Sequence, residues 1–353
     1  MQAAGARHVC PWLVAAVRWE GCAGRHPCVL TMTELPQNGW RVGVVPVRFA
    51  LGEWSFAVAR LKCLVRTGSF VSSPALDARL PPCPELPPDV RGAALTSWPV
   101  GEDLGSLRLE GGVIRYVESR FPRYFVEIKG TFEQYLGHFG GKVRKNLLRS
   151  VRACGRPNGA RLDVREYRDE REACEFHRVA TGISRLTYQH RLVGAGLPDT
   201  PEFLSALSSV AKAGRVRGYV LFFADQPVAF AYCTLTGSTI HYDVIGYDPT
   251  CAQLSPGTVL LFEIMRHVFD EGLFDLFDFG PGEAHYKSSF STCVRRCANI
   301  LYLKPTAGNT AFVVAHLFMR SLSATAGALL TRIGLKQKVR MLLRRSAHVS
   351  GGK

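Results

Sequence analysis

The sequence predicts an α/β (α+β) fold, a mixed and mostly antiparallel sheet flanked by helices. Three observations carry that expectation. Residues 215–247 hold three strand-like runs in quick order, RVRGYVLFFA, PVAFAYCTL and STIHYDVIGY. Joined by ADQP and by Thr236-Gly237, they have the pattern of an antiparallel meander. A helix with an apolar stripe follows, passes Gly272 and ends in the short apolar run LFDLFDFG. Upstream, capped helical segments separate further strand-like runs.

From Gly39 the chain reads as strand: WRVGVVPVRFA alternates, and SFAVARLKCLV follows a turn at Gly52. SSPALDARLPPCPELPPDVRG then packs six prolines into 21 residues, which excludes a regular helix or a central strand. RYFVEIKG (123–130) is the next strand. Thr131 and Gln134 form a capping-box pattern ahead of Phe132, Tyr135, Leu136 and Phe139. After Gly140-Gly141 an amphipathic helix places Lys142, Lys145, Arg149 and Arg152 on one face and Val143, Leu147 and Val151 on another. The basic stripe reads either as a solvated face or as a surface for phosphate or a polyanion. LDVREYR is a strand; Asp169 and Glu172 cap a helix through Ile183, and Thr200-Pro201 start one through Ala213. NILYLKP is the last strand, and a helical, basic tail begins near residue 309.

The 353 residues leave room for two domains, and 47% hydrophobic with 21% charged residues is a globular balance. The excess of 44 Lys+Arg over 29 Asp+Glu, +15, favours polyanionic or phosphorylated partners, or reflects a general basicity without a partner. Eleven cysteines are scattered without a C-x-x-C pair, so no zinc site is expected and a reducing cytoplasm is the simpler setting. The most apolar stretch, AFVVAHLFMRSLSATAGALL, carries Arg320 near its middle, so no transmembrane segment is expected. The tail's Arg332, Lys336, Lys338, Arg340, Arg344 and Arg345 suit a peripheral amphipathic helix or a weak contact with an anionic membrane. No signal peptide is expected, and residues 1–38 read as an extension.

The helix after the meander opens with Ser255 as N-cap, Pro256 at N1 and Gly257 at N2. A bare glycine there lets a ligand approach first-turn amides, whose donors and dipole make an anion site. The same residues would also serve as a plain cap. Leu261, Ile264, Met265 and Val268 form the inward stripe.

This order resembles the Gcn5-related N-acetyltransferase (GNAT) fold, and QLSPGTVLL resembles the family's Q/R-x-x-G-x-G/A signature, keeping one glycine and no Arg. FEQYLGHFGGKVRKNLLRSVR, YDVIGYDPTCAQLSPGTVLLFEIMRHVFDEG and FDFGPGEAHYKSSFST are similar to the CelD/BioF-like branch, itself similar to the FemABX peptidyltransferases. The likeness spans roughly 120 to 305. It implies a shortened GNAT-like lobe over 39–130, an acyltransferase domain over 131–305 and a tail over 306–353.

The resemblance implies that acetyl-CoA or another acyl-CoA is the co-substrate, its diphosphate held by Leu254, Ser255, Pro256, Gly257 and Thr258. Thioester-to-amine transfer needs a neutral amine, a polarised carbonyl and a protonated leaving thiolate. Asp243, Asp278 and Tyr286 are the catalytic candidates; Asp278, set between Phe277 and Phe279, reads as a base, an amine anchor or a structural carboxylate. Arg144, Asn146, Tyr242, Glu283, His285 and Lys287 are the substrate-binding candidates. Three functions are expected in turn: N-acyl transfer to an amino sugar or polysaccharide precursor, aminoacyl transfer from a charged tRNA, or a non-catalytic binding role.

Overall fold

The computed structural model describes residues 39–51, 54–68, 80–156, 159, 161–187 and 196–332. The proposed extension over 1–38 and the basic residues from Lys336 onward lie outside them. The chain divides into two compact units that are discontinuous in sequence. Strands β5 (Val113–Glu127) and β11 (Cys293–Leu303) each contribute residues to both, whereas the sequence reading drew its boundaries at 130 and 305.

The larger unit is built on Phe121–Arg295. In chain order it holds α1 (Phe132–Gly137), α2 (Gly141–Gly155), β6 (Asp163–Tyr167), α3 (Glu170–Leu186) and α4 (Pro201–Lys212). Then come β7 (Val216–Phe223), β8 (Gln226–Thr236), β9 (Thr239–Tyr247), α5 (Pro256–Glu271), β10 (Leu276–Pro281) and α6 (His285–Phe290). Its strands lie in the order β5–β10–β9–β8–β7–β6. β7 to β9 form the antiparallel meander expected, and β6 adds antiparallel to β7. β10 runs parallel to β9 and antiparallel to β5. Parallel neighbours require a crossover, which α5 supplies.

Both cappings upstream form as expected: Thr131 with Gln134, and Asp169 with Glu172, make reciprocal capping boxes. Helix α5 ends at Gly272, whose φ of 61° is a left-handed C-cap. Its Leu261, Ile264, Met265 and Val268 are all buried, together with α1, α2 and residues of β8 to β10. Helices α3 and α4 cover a second apolar cluster with Phe176, Phe230 and Tyr232. On α2, Leu147 packs inward but Val143 is exposed, because it lies at the helix start, outside the packed cluster.

A charge network fastens α5 to the far strands. Arg168 and Arg217 pair with Glu166 and Glu271, with His267 alongside. Donor atoms of Glu166, His267 and Glu271 lie within 4.8 Å of one another, but the two guanidinium groups occupy the carboxylates a cation would need.

The second unit pairs β1 (Arg41–Leu51) with β2 (Trp54–Thr67), β2 with β3 (Gly92–Pro99), β3 with β11, and β4 (Leu107–Glu110) with β5. Helix α7 (Ala307–Arg332) packs on β1, where His316 bridges the Tyr116 hydroxyl at 2.5 Å and the Arg48 carbonyl at 2.9 Å.

Several strands escaped the sequence reading. β3 was not expected, because its first four residues are all buried and show no alternation. β5 starts ten residues before RYFVEIKG, through a stretch whose Arg115, Glu118 and Arg120 mask the apolar pattern, and it ends at Glu127. β11 likewise begins at Cys293, ahead of NILYLKP, with Arg295 and Arg296 interrupting the apolar pattern.

Candidate active site

The parallel pair β9–β10 holds for three rows, Leu276 with Thr239, Phe277 with Ile240 and Asp278 with His241. Beyond that row the strands part. β9 runs on to Tyr247, and among the described residues no strand pairs with its β10-side edge after His241. The chain then makes a 3-10 turn over Pro249–Leu254 and enters α5. A Cβ on Gly257 would lie 3.7 Å from Tyr247 Cδ1, so the helix start stands at the far end of that open edge. Six residues of strand, at about 3.3 Å each, set it about 20 Å from the fork.

Ser255 does not cap α5 with its side chain. Its φ of 55° and ψ of 49° are left-handed, its amide closes the 3-10 turn on Ala252, and its carbonyl accepts from the Thr258 and Val259 amides at 3.0 Å. The sharp turn, rather than a hydroxyl cap, starts the helix. Pro256 is buried as N1, whereas Leu254, Ser255, Gly257 and Thr258 remain partly exposed. Among the described residues beyond its own helix turn, the Tyr247 ring is what lies within 4 Å of a Cβ on Gly257.

At the fork, Asp278 is fully buried and takes four donors. Arg123 of β5 grips both oxygens, through Nε at 3.0 Å and through Nη2. The Gly280 amide donates at 2.8 Å, and His241 Nδ1 lies 2.9 Å from Oδ2. Burial alone would raise this carboxyl, but the Arg123 charge and the hydrogen bonds from His241 and Arg123 hold it well below the usual carboxylate range. With its acceptor positions taken, Asp278 has no lone pair left for a substrate proton, so of the three roles expected from sequence, base, amine anchor and structural carboxylate, the geometry fits the last.

Asp243 is the extra residue of a bulge: Tyr232 pairs with Val244 and Cys233 with Tyr242. A bulge re-aims a side chain and is frequent beside active sites. Its Oδ2 accepts from the Thr234 amide at 3.1 Å and from the Thr234 hydroxyl at 2.5 Å. Burial pushes this carboxyl up to about 6, against the lowering pull of Thr234 and the nearby His241.

The Lys287 ammonium is buried and donates to the Pro281 carbonyl at 2.8 Å and the Gly280 carbonyl at 3.4 Å. It ties down the turn after β10 rather than facing solvent, and burial lowers it to about 8. Tyr286 lays its ring against Tyr242 and Phe279, and burial keeps its phenol protonated.

Residues 141–288 match the family model described as an acetyltransferase (GNAT) domain. The match covers 148 of the 353 residues. No curated protein sequence matches the chain. Among solved structures, FemX is similar at 11% identity over 78% of this chain and 91% of that one, TM-score 0.46. The C-terminal domain of a putative lysylphosphatidylglycerol synthetase from Agrobacterium fabrum is similar at 14% identity over 64% of this chain and 72% of that one, TM-score 0.41. A GCN5-related N-acetyltransferase from Kribbella flavida is similar at 11% over 56% and 62%, TM-score 0.30.

At the fork Asp278 lies within electrostatic reach of Asp243 and Lys287, whereas Tyr286 packs with Tyr242 and Phe279, the alternate side chains of β9 and β10. Other expected residues fall elsewhere. The Tyr242 ring is buried against Phe277 and Phe279, so it is packing rather than a substrate contact. Glu283 and His285 are exposed, His285 resting near Ser289. The Arg144 side chain is exposed and Asn146 half-buried on α2, whose far end meets the turn before α5 through Cys154 Sγ and the Leu254 carbonyl at 3.7 Å. Ten residues of helix put Arg144 about 15 Å from that contact. Sequence reasoning missed Arg123 and His241. The polar signal at His241, two residues before Asp243 in the same strand, was available.

Proposed function

We propose that this chain is an acyl-CoA-dependent N-acyltransferase, transferring an acetyl or longer acyl group to a primary amine. An amino sugar or a polysaccharide or cell-envelope precursor is the acceptor class favoured by the CelD-like motifs. The observation that carries the reading is the open edge of β9, which runs from the fork to the start of α5. An extended pantetheine arm fits that length, with its thioester at the fork and its diphosphate at the Ser255–Thr258 turn. The Gly257 amide and the helix dipole would meet the diphosphate, and strand amides along the edge would meet the arm and polarise the carbonyl. Asp243 would attract the acceptor's ammonium, and Tyr286, held protonated, would return a proton to the leaving thiolate. A reducing cytoplasm suits the eight free thiols among the described residues.

A thermal-shift series with CoA, acetyl-CoA and longer acyl-CoAs tests this. Stabilisation that grows with ligand concentration is expected. No shift from any of them would remove the reading.

One observation favours a second reading, aminoacyl transfer from a charged tRNA. Lys142, Lys145, Arg149 and Arg152 are all exposed on α2 and have no ion-pair partner among the described residues. tRNA retention that falls steeply with salt, without any CoA effect, would favour that alternative.

A further inference from the structure

We infer that His241 is the general base of the proposed transfer, with Asp278 as its positioning residue and Nε2 as the atom that takes the acceptor's proton. The inference rests on the acyltransferase reading above, and it concerns a residue that the sequence motifs did not single out.

The tautomer follows from the partners. Asp278 is held as a carboxylate and can only accept, so the proton in its 2.9 Å contact with His241 belongs to Nδ1. Neutral His241 therefore carries its lone pair on Nε2. No described residue hydrogen-bonds to that nitrogen. The ring is 23% exposed while its partner is at 0%, so the dyad is anchored inside and open outside. It sits in the last row before β9 and β10 part, where the reading above puts the thioester.

The neighbours leave this role to His241. Asp278 is saturated by Arg123, Gly280 and His241. Lys287, from α6, is spent on two carbonyls. Asp243, on the same strand, already receives two hydrogen bonds from Thr234 on Oδ2. Among the described residues Asp278 and Asp243 act on the imidazole, and Arg123 and Lys287 act on Asp278 behind it.

The step balances simply. The acceptor's ammonium gives one proton to Nε2, and the neutral amine adds to the thioester carbonyl to form the C–N bond. The tetrahedral intermediate collapses, the C–S bond breaks, and the thiolate takes the Tyr286 phenol proton, which the second amine proton replaces. The imidazolium then releases its proton to solvent. No oxidant, reductant or metal is required.

The test uses the full chain, acetyl-CoA, and a panel of ethanolamine, lysine and glucosamine as acceptors, with free thiol as the readout. His241→Gln keeps a donor for Asp278 and should lower turnover by about 100-fold or more, with acetyl-CoA affinity unchanged. The acid limb of the wild-type rate profile should vanish, and imidazole should restore part of the rate to His241→Ala. An unchanged rate and pH profile in His241→Gln would overturn the assignment while leaving the acyltransferase reading intact. NMR of the imidazole nitrogens serves as the second measurement should none of the three amines be acylated. A lone pair on Nε2 in the wild type, lost to a mixture of tautomers in Asp278→Asn, is expected; a proton resident on Nε2 overturns the assignment. Failure of the wild type to bind acetyl-CoA is a separate result, and it removes the parent reading and this step together.

Discussion

Asp278 and His241 face each other in the last paired row of β9 and β10, with Oδ2 2.9 Å from Nδ1. The same carboxylate takes Arg123 from β5 and the Gly280 amide. One buried anion thus ties three adjacent strands together where the sheet opens, and it does so with a charge-assisted bidentate pair.

Removing that anion should be costly. Asp278→Ala leaves the Arg123 guanidinium buried without its carboxylate, a change worth about 3–5 kcal/mol in similar settings. Urea unfolding of the variant against the wild type checks this. A loss below about 1 kcal/mol would mean that the network contributes little to closing the fork.

Asp243 should behave in the opposite way. Its carboxyl is raised to about 6 in the folded chain, so folding favours its protonated form. Its contribution to stability is present below the unfolded value near 4 and is lost as pH rises through 6. Asp243→Asn should therefore be more stable than the wild type at pH 7, by on the order of 1 kcal/mol, and the gain should disappear near pH 4. Melting curves at the two pH values give the comparison. Equal stability of the two proteins at pH 7 would contradict the burial argument.

Two glycines of the larger unit should respond differently to a single methyl. A Cβ at Gly218 would come within 2.5 Å of the Phe176 ring, in the core between β7 and α3. Gly218→Ala should cost about 1–3 kcal/mol through overpacking. At Gly257 the nearest atom is 3.7 Å away, an ordinary contact, so Gly257→Ala should unfold close to the wild type. Chemical denaturation of both variants measures the contrast.

The meander, the capped helices and the crossover into β10 were legible because each has a local signal: alternation, a cap pair or a closing glycine. The strands of the second unit were less so. β3 is buried without alternation, and the first half of β5 carries Arg115, Glu118 and Arg120, whose partners Glu110, Asn299 and Ser106 lie on other segments, so periodicity failed there. At the site, the turn before α5 could be found from Ser255-Pro256-Gly257, but its left-handed Ser255 could not, since no propensity favours serine there. Asp278 drew notice as a carboxylate among phenylalanines. Its partners could not be inferred, because Arg123 and His241 lie 155 and 37 residues away and meet it only through strand register.

The claim on which the rest depends is that the open edge of β9 and the start of α5 hold an acyl-CoA. Calorimetric titration of acetyl-CoA into the wild type and into Gly257→Val tests it most directly. Saturable one-to-one binding to the wild type, abolished in a variant that melts at nearly the same temperature, is the predicted result. Equal binding by both proteins would show that the nucleotide sits elsewhere, and no binding by either would contradict the account as a whole.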